Sequence, residues 1–458
     1  MKQLVQNLKN GATSLIDAPA PNVIDGCLLI NTNLSLISPG TEKMLIDFGK
    51  ANFLNKAMQQ PQKVRQILEK AKNDGIYATY EAVNSKLSEP ITLGYCNVGE
   101  VVGIGRGVTG FKLGDRVISN GSHAEVVCVP SNLCSRIPKN VTNEEACFTV
   151  LGAIGLQGIR LAKPTLGEKF VVFGLGVIGL LTVQILQANG CKVLAVDLND
   201  ERLNIAKKIG AITIKSTNDI DILDFADSFS EGNGFDGVII AASTTDDNLI
   251  SQAAKICRKR GRVVLIGVVG LNLSRDDFYE KEISFQVSCS YGPGRYEKNY
   301  ENKNYDYPIG YVRWTEQRNF EAILDLIRSK KIDAIPLISH RIDFEDAPQF
   351  YKGMANGEQG LGVLLKYSNN FIKNESRTIV FKEKMSKSNK SNRPVVIGFI
   401  GAGNYASRVL MPAFRKEGGE LHTVVTSKGL SGTIYGKKLG FKYSSTDIES
   451  VIDNDSIN

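Results

Sequence analysis

The sequence predicts an α/β protein in three parts. These are a β-rich first part, a doubly wound parallel sheet with helices on both faces, and the beginning of a second such sheet. Three observations predict it. Short apolar runs broken by turn residues fill roughly the first 150 positions. From about Thr149 strands alternate with helices, the pattern of βαβ units. A glycine turn stands between a strand and a helix twice, at Gly174–Gly179 and at Gly401–Ala406.

The elements follow in order. Val23–Asn31 and Val98–Gly103 are apolar and read as strands, and Gly114-Asp115-Arg116-Val117 reads as a turn entering another. Between Phe48 and Lys86 the pattern becomes helical and polar. Val64, Ile67, Leu68 and Ala71 recur at i, i+3, i+4 and i+7, which predicts a helical insertion. Next come Phe170–Phe173 and Val177–Ala188, then Val193–Val196 and Glu201–Ile209, as two strand–helix pairs. Strands follow at Gly237–Ala241, Arg262–Ile266 and Ser284–Ser288, a helix at Phe320–Ser329, and a last strand at Val363–Tyr367. Residues 368–394 are polar, rich in lysine and serine, with an apolar patch at Ile379–Phe381, and read as a linker. From Val395 a strand, helix, strand and helix follow, with no third strand expected before Asn458.

Charge sharpens this division. The 458 residues carry a net charge of +7 with 42% apolar residues, ordinary for a globular chain. Residues 368–394 alone hold seven basic and two acidic side chains, so the remainder carries only +2. A strongly basic fold, a disordered chain and a disulfide scaffold are thereby excluded. The eight cysteines include no C-x-x-C pair, which fits a reducing compartment. Met1–Asn10 has no apolar h-region, so no signal peptide is expected. Phe170–Cys191 is free of charge over 22 residues, but four glycines and three amide side chains mark it as strand, turn and buried helix.

The first glycine turn carries specific chemistry. Gly174 permits the tight turn, Gly176 lets a pyrophosphate approach, and Gly179 brings helix against strand. Leu175, Val177 and Ile178 complete the loop. The helix N-terminus offers free amides to phosphate. Asp197 ends the next strand, 18 residues after Gly179, where a carboxylate binds ribose hydroxyls and repels a 2′-phosphate. NAD is therefore expected over NADP. In the second turn, Gly401, Gly403 and Asn404 occupy the corresponding places. No acid ends its following strand, Leu421–Val425. Lys428 stands nearby, facing a 2′-phosphate or simply solvent. The second unit spans about 64 residues, half of a six-stranded fold, and weak cofactor binding is expected of it.

With these motifs in hand, residues 1–367 resemble the medium-chain dehydrogenase/reductase superfamily of zinc alcohol and sorbitol dehydrogenases. Beyond the glycine fingerprint, the resemblance rests on Ser38-Pro39-Gly40-Thr41-Glu42, Gly94-Tyr95-Cys96-Asn97-Val98-Gly99-Glu100, Gly114-Asp115-Arg116-Val117 and Leu151-Gly152-Ala153-Ile154-Gly155-Leu156-Gln157-Gly158. Residues 395–458 resemble the start of the glucose–fructose oxidoreductase/inositol dehydrogenase/MocA family. The combination is similar to bacterial bi-domain oxidoreductases associated with surface polysaccharides. The resemblance implies a GroES-like catalytic domain over 1–150 and 312–367 and a Rossmann domain over 151–311. A linker over 368–394 and a truncated second Rossmann unit over 395–458 follow.

It also implies where chemistry sits. The superfamily's catalytic zinc takes Cys, His and Cys or Glu. Here Ser38 or Pro39, Tyr95, and Val150 or Leu151 stand at those places, and Cys128 with Cys134 cannot supply a structural four-cysteine site. No zinc is therefore expected, and Ser38, Thr41, Glu42 and Tyr95 become the candidates for proton transfer. Glu42 also fits a supporting role behind the site, and Tyr95 could equally fill the vacant metal space. Ser290–Tyr296, with Tyr291 and Arg295 among tyrosines and Trp314, suits a sugar or anionic sugar derivative, or else packs a domain interface.

The sequence thus predicts a cytoplasmic, zinc-independent NAD(P)-dependent oxidoreductase moving hydride between cofactor and a secondary alcohol or ketone. An NADPH-dependent enone or quinone reductase and a non-catalytic NAD-binding scaffold are the alternatives. A small-molecule substrate, such as a sugar derivative, and further copies of the chain are the expected partners. Nucleic acid and membrane are not.

Overall fold

The computed structural model describes residues 1–51, 89–216, 222–357, 360–368, 377–381 and 395–458. The helical insertion expected around residues 62–71 lies outside the described residues, as does most of the linker.

The parallel sheet forms from runs that are apolar on both faces. Phe170, Val171, Val172 and Phe173 are all buried, and so are Val193 to Val196 and Val238 to Ile240. Such runs need helices on both sides. Six strands line up as Ile212–Lys215, Lys192–Asp197, Lys169–Phe173, Phe235–Ile240, Cys257–Leu265 and Ser284–Val287, all parallel. Chain order reverses between the third and fourth of these. In open α/β sheets that reversal opens a crevice at the strand ends, where ligands bind. The predicted strands and helices of this region form within a few residues of their expected limits, including the helix Val177–Ala188.

The first part folds as a seven-stranded sheet around the long strand Cys27–Ile37, which pairs with Asn97–Ile104, Val126–Pro130 and Gly362–Lys366. The pairing with Gly362–Lys366 returns the late part of the chain to the first. A three-stranded sheet, Thr13–Asp17, Lys2–Asn7 and Pro90–Thr92, covers one side. The helix Thr149–Ala162 packs against Val177–Ala188 and Glu316–Arg328, and one apolar cluster runs from Leu28 through Leu151 to Leu180.

The end of the chain departs from expectation twice. Tyr443–Ser445 is a third parallel strand beside Glu420–Val425. Its three polar-looking residues hid it, yet Ser444 and Ser445 are buried. Thr378–Val380, inside the stretch read as linker, is an antiparallel edge strand on Tyr443–Ser445. Phe381 follows it into the small core with Met411, Leu421, Val424 and Phe441, so the apolar patch belongs to the second unit. No helix among the described residues is long and apolar enough to cross a membrane.

Candidate active site

At the carboxyl ends of the parallel strands lies a cleft of about 990 Å³. One wall is the glycine turn: Gly174, Gly176, Val177, Ile178 and Gly179. Gly174 adopts φ +88°, and a Cβ there would lie 2.6 Å from the Ala242 backbone. A Cβ on Gly179 would lie 1.8 Å from the Gly174 carbonyl oxygen. Gly176, by contrast, faces open space and begins the helix Val177–Ala188. This is the arrangement that lets a pyrophosphate reach helix amides. Leu175 is buried behind the turn, where its N–H bonds Asp197 Oδ2 at 2.5 Å. The Asn199 N–H bonds Asp197 Oδ1 at 2.8 Å. Asp197 and Arg202, 4.0 Å apart, both line the cleft. The residues present therefore fit a dinucleotide.

Across the cleft stand Ser38, Gly40, Thr41 and Met44. They belong to the start of the helix Pro39–Lys50, with Ser38 at its N-cap. Pro39 at its first position favours helix initiation there. Tyr95 is half-buried behind this helix and donates from its phenol to Thr41 Oγ1 at 3.2 Å. Burial pushes the Tyr95 phenol well above its ordinary range, so it stays protonated and acts as donor. Thr41 thus keeps its own hydroxyl proton for a group in the cleft.

Glu42 does not face the cleft. It is 1% exposed, and its Oε1 accepts the Ser38 N–H at 2.9 Å. Its Oε2 accepts the Tyr351 hydroxyl and lies 3.4 Å from His123 Nε2. His123 Nδ1 lies 2.7 Å from Ser35 Oγ, which is 2.9 Å from the Tyr367 hydroxyl. This buried chain was missed in the sequence, where His123 is a lone histidine and Tyr351 and Tyr367 lie over 200 residues away. It holds the Ser38 end of the helix. Glu42 is engaged in this buried chain and does not line the cleft.

The aromatic segment goes to the domain interface. Tyr291 is 2% exposed, packs its ring tilted against Phe320 at 5.3 Å between centroids, and accepts from Asn120 Nδ2 at 3.2 Å. Arg295 pairs with Glu301 and lies over the Tyr296 ring at 4.2 Å. Neither residue lines the cleft, and Arg295's charge is already met six residues later in the chain. The expectation of a substrate anion there is corrected on that ground. Beside it Glu316 is fully buried, and neither oxygen of its carboxyl has a hydrogen-bond partner among the described residues. Burial, with Glu301 nearby, pushes its carboxyl up to about 8. The second turn lies elsewhere, with Gly401, Gly403 and Asn404 exposed.

Residues 177–302 match the family described as Zinc-binding dehydrogenase, and residues 71–167 match the Alcohol dehydrogenase GroES-like domain. The chain is similar to sorbitol dehydrogenase of Halalkalibacterium halodurans, 25% identical over 323 residues, 63% of this chain and 86% of that one. It is similar to (R,R)-butanediol dehydrogenase of Bacillus subtilis, 26% identical, covering 60% of this chain and 78% of that one. The fold is shared with alcohol dehydrogenase TADH from Thermus sp. ATN1, at TM-score 0.61 and 20% identity, covering 80% of this chain and 100% of that one. The chain thus carries both domains of a zinc-type, medium-chain alcohol dehydrogenase-like protein. It is an NAD(P)-dependent oxidoreductase of that class.

The expectation of no zinc is overturned by the family match, which is to a zinc-binding dehydrogenase. That expectation rested on three aligned positions, and residues 52–88, with Glu69, Asp74 and Glu81, lie outside the described residues. Among the described residues no three His, Cys, Asp or Glu side chains gather to hold a metal ion. The donor set among the described residues does not fit zinc.

Proposed function

We propose that this oxidoreductase acts in the cytoplasm on a secondary alcohol or ketone of a polyol or sugar derivative, with NAD preferred over NADP. The observation that carries the reading is the shared cleft: Ser38 and Thr41 stand on one wall, the glycine turn and Asp197 on the other. Bound nicotinamide supplies a hydride acceptor or donor. The Thr41 hydroxyl, oriented by Tyr95, hydrogen-bonds the reacting oxygen, and Ser38 stands beside it. Asp197 takes the ribose hydroxyls and disfavours a 2′-phosphate. Polyol chemistry is supported by the names of the relatives, sorbitol and butanediol dehydrogenases. A sugar substrate in surface-polysaccharide metabolism is supported by the resemblance of residues 395–458 to the start of a MocA-type oxidoreductase.

Fluorescence titration with NADH and NADPH, then turnover with sorbitol, 2,3-butanediol and sugar derivatives, tests this. Tighter NADH binding and turnover of at least one polyol are expected. Tyr95→Phe should lower kcat about tenfold with KM little changed, since it frees Thr41 to rotate. Binding of neither cofactor would sink the proposal.

A further inference from the structure

Trp314 is the single tryptophan of the chain, and two guanidinium groups rest on its indole. The guanidinium carbon of Arg160 lies 3.4 Å from the ring centre, and that of Arg313 lies 3.8 Å from it. Two groups in van der Waals contact over one ring centre cannot share a face, so the arginines flank the indole. They come from different parts of the fold. Arg160 stands in the last turn of the helix Thr149–Ala162, and Arg313 in the segment entering the helix Glu316–Arg328. Arg160 is held a second time. Its Nε–H donates to Asn319 Oδ1 at 2.7 Å, and the Asn319 amide donates to the Tyr291 carbonyl at 2.8 Å. Asn319 is fully buried and fixes the guanidinium in place.

Among the described residues neither arginine forms an ion pair with a carboxylate. Arg295 and Arg318, nearby in the chain, are by contrast met by Glu301 and Asp306. Glu321 feels the charges of Arg318, Arg313 and Arg136 but pairs with none of them among the described residues. Burial, with the Arg313 charge beside it, pulls the Arg160 guanidinium down to about 10, so both groups stay charged at neutral pH. Two like charges are thus kept against one ring. The indole faces offset part of that repulsion, and an anion relieves the rest. The terminal nitrogens of Arg160 have no partner among the described residues, and stacking has already removed their rotamer freedom. Arg313 is exposed and Trp314 half-buried, so a solute reaches both.

We propose that Arg160, Trp314 and Arg313 form a binding site for a phosphate-type oxyanion, free or carried on a small molecule. A guanidinium fork matches two oxygens of a phosphate and binds them bidentately. Two forks carry two charges, which favours a dianion over a carboxylate. An oxyanion at the edge of the indole meets both forks and cancels the charge that the fold leaves open. None of the three residues lines the cleft with the glycine turn, so the pyrophosphate of a dinucleotide is not the occupant. The site does not depend on which alcohol the enzyme uses.

The test titrates the whole chain, without cofactor, with inorganic phosphate at an ionic strength held constant by sodium chloride. Emission from Trp314, the single tryptophan, locates the event, and calorimetry measures it. A saturable change with phosphate, absent with chloride alone, is expected. Arg160→Gln and Arg313→Gln should each weaken it about tenfold, the loss of one charged hydrogen-bonding group, with NADH affinity unchanged. Glycerol 3-phosphate binding tighter than phosphate would support a carried phosphoryl group, and equal binding the free anion. No saturation by fluorescence or calorimetry, or saturation undiminished in both variants, would overturn the proposal. So would a phosphate signal lost in Gly176→Asp, which would place the ion in the cleft. Arg313 is exposed, so Arg313→Gln decides the matter even if Arg160→Gln folds poorly.

Discussion

A Cβ placed on Gly179 would lie 1.8 Å from the Gly174 carbonyl oxygen, whereas a Cβ on Gly403, in the second turn, would meet nothing within 4 Å. The strand before the first turn, Lys169–Phe173, is buried in the middle of six strands. The strand before the second, Val396–Ile400, is half-buried at the edge of four. After the first turn comes a regular twelve-residue helix. After the second, Ala406–Leu410 forms a π-helix before Met411–Lys416 continues. Asp197 reaches back to the first turn through Leu175, whereas Thr426 follows the corresponding strand, Glu420–Val425, in the second unit. The glycine spacing alone thus does not define a cofactor site. The close packing around it and the carboxylate beyond it do.

The largest effect that would break this comparison is on stability. Gly179→Ala should cost about 3 kcal/mol, because its methyl group meets backbone that cannot step aside. Gly403→Ala should stay within about 0.5 kcal/mol, as an open surface site does. Denaturant melts of the two variants measure this. Equal losses would show that the packing difference carries no energetic weight.

Next is binding. Gly176→Asp puts a carboxylate into the open space where pyrophosphate must lie, with the fold left intact. NADH affinity should fall about a hundredfold, roughly 2.7 kcal/mol. Gly403→Asp should leave NADH affinity and stoichiometry unchanged. A second binding event in wild type, lost in Gly403→Asp, would make the two turns functional equals.

How much of this was legible depends on whether the signal was local. The six-stranded sheet was, because apolar runs such as Phe170–Phe173 and the glycine turn encode both elements and their junction within a few residues. The placing of Ser38 and Thr41 opposite that turn came through the family resemblance. What escaped depended on distant partners. His123 gains meaning only beside Glu42 and Ser35, and the strand Tyr443–Ser445 only beside its neighbours. Arg295 misled because its partner Glu301, although near, neutralises it in a fold the pattern of aromatics does not reveal.

The smallest effect concerns how the two regions are joined. Glu89 Oε1 accepts from Tyr435 at 2.6 Å and from Arg408 Nη2 at 3.1 Å, both in the second unit. Thr446 Oγ1 adds a bond to the Ala20 carbonyl at 2.5 Å. The Glu89 contacts are part-buried, so Glu89→Ala should cost about 1 kcal/mol. The loss should appear as faster proteolysis of the second unit, with NADH affinity unchanged. A parallel loss of NADH affinity would mean that the second unit supports the first site from across the junction. Its poor glycine turn would then be set aside in favour of a role as a brace for the catalytic domain.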